Sequence, residues 1–306
     1  FTDTMYNPQG PINDYIRIYK PEIKIFNYRQ GNTPSSLIIN YFAKDSRNPI
    51  SPPFKFFDDL RKTYKINEAE NLVFKVRNEI KNYYYNSDWI SYVGTSDYVK
   101  KNIEKNYFEL SEQFLSRSKG ALFIIFPHIF WDASSESGID VFANYKKWFE
   151  ETIKYILENT NSNIIVKEHP AILSKYLTDP DNFESEIKNY LKKYEIKYSE
   201  RFRYIKPNTP LCSLDLIKLS DYVLTVRGTI GVEAALFGKQ VIFAGTGRYD
   251  PFEFGVFAKD VQNYFEILKK ASHKSLKVKN RDKFHAALYL EIILNMMSFK
   301  NKLTYV

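Results

Sequence analysis

The chain has 306 residues, 44% hydrophobic and 26% charged, enough for one large or two ordinary domains with a substantial core. Its formal net charge is +8 and its pI about 9.1, but the lysines are scattered among glutamates, as in Glu184 to Arg203, and no nucleic-acid motif accompanies them. No apolar run approaches the roughly 18 residues of a membrane-spanning helix, and no secretory pattern is present at the N-terminus. The single cysteine, Cys212, leaves no intrachain disulfide and no zinc cluster, so a reducing compartment and no metal are expected.

The first third is irregular. One strand is predicted over Glu22 to Asn27, then a polar turn from Tyr28 to Pro34 and a proline-rich break from Asn48 to Pro53. Helices are predicted at about 68–86 and 96–117, and Asp58-Asp59 is placed at a helix start, where acids suit the dipole. Tyr83-Tyr84-Tyr85 is expected to straddle a helix face and solvent. The chain opens on Phe1, and region 1–118 reads as an incomplete domain, one module of a longer protein.

From residue 119 onward strands and helices alternate. Strands are predicted at 121–126, 163–167, 202–205, 222–226 and 240–244. Helices fall at 141–158, 182–194, 213–219, 230–237 and 260–271, with a last one at 281–299. That alternation predicts an α/β fold, a Rossmann-like parallel sheet with helices on both faces. Ligands of such sheets bind outside the carboxyl ends of the strands.

Three of those ends carry chemistry. Leu122-Phe-Ile-Ile-Phe-Pro-His128 ends in a histidine followed four residues later by Asp132, and the two are candidates for general acid–base work. Asn163-Ile-Ile-Val-Lys-Glu-His-Pro170 ends in Lys167, His169 and Pro170. Alternation places Lys167 and His169 on one face, as a cationic phosphate site. The run Tyr222 to Val226 leads into Arg227, Gly228, Thr229 and Gly231 at a helix start, where bare backbone N–H groups and the dipole favour an anion. Glu233 lies one turn into that helix, within reach of sugar hydroxyls. Each cluster has a plain structural alternative: a tight turn, an incidental charge, a satisfied histidine. His273 and His285 are read as surface residues.

Taken together the clusters resemble the bacterial capsule polysaccharide biosynthesis proteins, GT-B-type glycosyltransferases that include β-Kdo transferases. The matching pieces are FPHIFWD at 126–132, FANYKKWFEETI at 142–153, KEHP at 167–170 and RGTIGVEAALFGKQVIFAG at 227–245, followed by GRY at 247–249. The resemblance implies a GT-B-like fold in which Lys167, His169, Pro170, Arg227, Gly228 and Thr229 hold the phosphate of an activated sugar. It places Glu233 on the ribose, Asn208 and Thr209 near the base, and Arg248 and Tyr249 at the mouth. No cofactor is implied beyond a nucleotide-sugar co-substrate, with CMP-Kdo one donor, and the acceptor is a capsule or lipopolysaccharide glycan, free or lipid-linked. The expected layout is an acceptor-side region at 1–118, a nucleotide-sugar domain at 119–272, and a helical segment at 273–306 packing back on the first. The expected place is cytoplasmic, with peripheral association at the inner membrane face as one use of the basic charge. A nucleotide-sugar epimerase of similar architecture and a non-catalytic nucleotide-binding module are the alternatives.

Overall fold

The computed structural model describes residues 18–30, 36–42, 54–86, 106–116, 120–130, 140–169, 186–198, 200–247 and 252–292, with single residues 12, 15, 16, 172, 249, 296, 299 and 300. Ile25–Gln30 (β1) and Ser36–Phe42 (β2) form an antiparallel pair. Two helices follow, Phe54–Thr63 (α1) and Ile66–Asn86 (α2), and then a π-helical turn, Glu112–Ser116. The main sheet starts with Leu122–Ile125 (β3), continuing through the helix Tyr145–Asn159 (α3) to Asn163–Lys167 (β4). Next come Glu186–Lys197 (α4), Phe202–Ile205 (β5), Ser213–Leu219 (α5) and Tyr222–Thr225 (β6). Thr229–Leu236 (α6), Gln240–Phe243 (β7), Val256–Phe257 (β8), Val261–Ser272 (α7) and Asn280–Glu291 (α8) complete it. Phe299–Lys300 (β9) returns to pair with β2.

The fold is α/β. Six parallel strands run in the order β5-β4-β3-β6-β7-β8, and helices cover both faces. Strands β3, β4, β6 and β7 are buried at every position, which is why they read as continuous apolar runs rather than alternating ones. On one face α3 contributes Trp148, Phe149, Ile153 and Ile156 to a core shared with α4 and α7. On the other, α6 and α8 meet the N-terminal helix α2 through Leu72, Val76, Ile80 and Tyr84, which share one helical face, and α5 adds to the same core. Arg77 Nε donates to Leu236 O at 2.8 Å, and Lys75 pairs with Glu291 at 2.7 Å, so the last helix is tied to the first long one.

Several expectations change. The first strand lies at 25–30 rather than 22–27, and the hairpin partner β2, the edge strand β8 and the returning β9 were not foreseen. Asp58 sits inside α1, where its carboxylate is held by Arg61 and Lys62 one turn on, so ion pairing rather than the dipole places it. Tyr84 is buried, and the side chains of Tyr83 and Tyr85 lie outside the described residues. The last named α-helix spans Asn280–Glu291, and 299–300, expected to close it, is strand. His285 is buried at 2% exposure, with Nδ1 donating to Phe252 O at 2.7 Å. Burial pushes its pKa down.

Candidate functional site

Strand order reverses between β3 and β6, the point at which a doubly wound sheet opens a crevice at its carboxyl edge. His128 follows β3 and Arg227 follows β6, so two of the three sequence clusters meet there. The Arg227 backbone N–H donates to His128 Nε2 at 3.2 Å, and Thr225 Oγ1 lies 3.4 Å from the same nitrogen. The Thr225 hydroxyl also accepts the Gly228 N–H at 3.2 Å, fixing the turn that caps α6. A Cβ on Gly228 would lie 2.9 Å from that hydroxyl, so the turn needs the missing side chain.

Tyr145, the first residue of α3, floors the cluster. Its ring stacks on His128 with centroids 4.4 Å apart, and the Arg227 guanidinium lies 5.8 Å from the same ring. The Arg227 side chain is only 6% exposed and pairs with Asp140. Burial raises the Asp140 pKa, and the Arg227 charge offsets part of that rise. Asp140 is placed by an isolated bridge to Gly245 just beyond β7. Neither Tyr145 nor Asp140 was assigned a role from sequence. Tyr145 lies within the 142–153 motif and was there to be found, whereas Asp140 has no local signal.

His128 is not poised as a base. Burial pushes its pKa down to about 3, and the charges of Arg227 and His169 act in the same direction. With Nε2 accepting from Arg227, the ring proton resides on Nδ1, and the neutral imidazole braces the turn. His169, two residues beyond β4, is exposed, and its charge helps to hold the His128 pKa down; β4 pairs with β3 in parallel, so the third strand end lies next to the first. Thr229 is exposed at the start of α6.

Other predicted residues take different places. Lys167 is buried, and its Nζ donates to Lys206 O at 2.8 Å and Pro207 O at 3.3 Å. Burial lowers its pKa to about 7. It therefore anchors the loop after β5 rather than offering a solvent-facing cation beside His169. That loop carries Asn208 and Thr209, both half-buried, with the Thr209 N–H on Lys206 O at 3.2 Å. Tyr249 is buried, not at a mouth, and donates to Gly228 O at 2.9 Å. Gly231 serves packing, since a Cβ there would sit 2.4 Å from Phe243 Cε1. Glu233 is half-buried and accepts from Tyr84 Oη at 2.6 Å; burial pushes its pKa up to about 7 although the Tyr84 bond pulls it down. Asp132, Pro170 and Arg248 lie outside the described residues.

An open groove of about 1510 Å3, lined by Glu112, Glu158, Glu200 and Arg203 among others, runs along the amino edge of the sheet. It lies at the opposite end of the strands and shares no lining residue with the cluster. Strand ends, not groove size, place ligands in such sheets. Among the described residues no helix is long and apolar enough to cross a membrane, and no group of three or more His, Cys, Asp or Glu side chains is gathered as a metal site would be.

Residues 48–290 match the family described as capsule polysaccharide biosynthesis protein, and the chain belongs to that family. No curated protein matches it. Among solved structures it is similar to the KpsC β-Kdo 2,7 transferase of Thermosulfurimonas dismutans, at 13% identity and a TM-score of 0.42, covering 98% of this chain and 85% of that one. The KpsC β-Kdo 2,4 transferase of the same organism matches at 12% identity and a TM-score of 0.41, over 94% and 78%. A glycosyltransferase from Rickettsia africae ESF-5 matches at 13% identity and a TM-score of 0.40, over 69% and 52%.

Proposed function

We propose that the chain is a metal-independent glycosyltransferase of GT-B type, moving a sugar from a nucleotide-activated donor to a capsule or lipopolysaccharide glycan. The observation that carries this reading is the convergence of Arg227, His169 and the Gly228–Thr229 turn at the reversal of strand order, in a chain of the capsule biosynthesis family. In this reading the donor phosphate lies against the backbone N–H groups at the start of α6, with Arg227 and His169 beside it. Charge building on the leaving phosphate is met there by groups already in place, the electrostatic term that dominates such reactions. The role of His128 becomes support of the turn; Asp132 is the proposed base or orienting group for the acceptor hydroxyl. Glu233 takes the ribose, Asn208 and Thr209 border the base, and CMP-Kdo is a donor to try first. The basic surface suits peripheral placement at the inner face of the cytoplasmic membrane, where a lipid-linked acceptor would be met.

Calorimetric titration of the chain and of His169→Ala and Arg227→Ala with CMP, UDP, GDP and their common sugar conjugates tests the site. Binding of one nucleotide, lost in both variants, is the expected result. A folded chain that binds none of these ligands overturns it.

A further inference from the structure

The proposed donor helix is gripped from an unexpected direction. Tyr84 belongs to α2, 149 residues before Glu233, yet its hydroxyl donates to Glu233 Oε2 at 2.6 Å. Glu233 Oε1 carries no hydrogen bond among the described residues. Tyr84 is itself buried, held in the apolar face that α2 presents to α6 and α8. Resting on the donor-site reading above, we propose that Tyr84 is a positioning residue for that site: its hydroxyl holds one oxygen of Glu233 and leaves the other to the ribose hydroxyls of the nucleotide. The nucleotide half-site is thus completed by a residue of the N-terminal third.

Proton linkage gives this arrangement a signature. Burial holds the Glu233 carboxyl up at about 7, and the Tyr84 hydrogen bond is the one influence pulling it down. Ribose hydroxyls donate, so they bind the carboxylate better than the acid. Preference for ribose therefore grows as pH rises through about 7 and fades below it. Among the described residues no charged group on the surrounding elements contributes to the Glu233 shift. Arg77 of α2 caps Leu236 O, Asp215 and Lys218 of α5 pair with each other, Lys283 of α8 lies against Gly238, and Arg227 binds Asp140. Removing the Tyr84 hydroxyl takes away the downward pull, so the midpoint should climb.

The test compares affinities for CMP, UDP and GDP with those for their 2′,3′-dideoxy counterparts, from about pH 6 to about pH 9, in wild type and Tyr84→Phe. The ratio of ribo to dideoxy affinity cancels titration of the phosphate itself. Wild type should prefer the ribonucleotide by at least about tenfold above neutrality, the scale of a hydrogen bond to a charged group. In Tyr84→Phe the preference should collapse at pH 7 and return only at higher pH, while dideoxy affinity stays unchanged. Replacing Tyr84 with 3-fluorotyrosine keeps the ring and strengthens the donor, so it should move the midpoint down; this variant decides the matter should Tyr84→Phe not fold. A ribose preference whose midpoint is the same in all three proteins overturns the role of Tyr84 and leaves the donor site standing. Absence of nucleotide binding in wild type overturns the donor site, and this proposal with it.

Discussion

Gly231→Ala should be destabilising even though it replaces a helical glycine with the best helix former. A Cβ at 231 would lie 2.4 Å from Cε1 and 2.7 Å from Cζ of Phe243. That ring cannot step aside. It is fully buried, stacked on Phe257 at 4.5 Å, flanked by Tyr249 at 5.2 Å, and backed by Gly255, whose own added Cβ would sit 2.9 Å from Cε2. Overpacking of this kind costs up to about 3 kcal/mol, and the helix-propensity gain returns about 1 kcal/mol. The net loss is about 2 kcal/mol, a fall in Tm of roughly 3 °C for a chain of this size. Urea and thermal unfolding measure it, and a double-mutant cycle with Phe243→Leu identifies the cause, since relief of the clash makes the pair strongly non-additive. A Gly231→Ala chain as stable as wild type, or an additive pair, refutes the argument that contact with Phe243 requires this glycine.

Three further outcomes follow from the same geometry. The His128 ring should not titrate above about pH 4, because its pKa lies at about 3; an NMR midpoint near the ordinary histidine value would refute its neutral, bracing role. Glu233→Gln should raise stability at alkaline pH and leave it unchanged near pH 4.5. The folded-state pKa of Glu233 is raised from 4.5 to about 7, so wild type loses stability as pH climbs through that window and the glutamine variant does not; urea midpoints at the two ends check the sign. Tyr249→Phe removes a 2.9 Å bond to Gly228 O and should cost about 1 kcal/mol with a loosened turn before α6; unchanged stability would remove Tyr249 from the support of that turn.

The inner strands β3, β4, β6 and β7 were legible because they are buried at every position and bounded by polar turns. Asn163–Lys167 and Phe202–Ile205 fall where the pattern put them. Strand β2 was missed because its meaning depends on partners, one across a hairpin and one at Phe299–Lys300, far along the chain. The same limit applies to the site. Arg227, Gly228 and His128 were legible as strand ends, and the topology brought them together. Alternation along β4 put Lys167 beside His169, but the carbonyls of Lys206 and Pro207 capture its ammonium from a neighbouring strand's loop. Tyr84 on Glu233 and Asp140 on Arg227 are contacts over 149 and 87 residues, and nothing local announces them.

The docking of α2 against α8 also orders events at the ribosome. The Lys75–Glu291 pair spans 216 residues, so at about 5–20 residues per second the first long helix waits on the order of 10–40 s for its partner to be synthesised. During that interval Leu72, Val76 and Ile80 face water or a chaperone, and Tyr84 has no Glu233 to hold until α6 has also emerged. Newly made chains stalled before residue 280 should accordingly be richer in chaperone contacts along 66–86 than chains released in full.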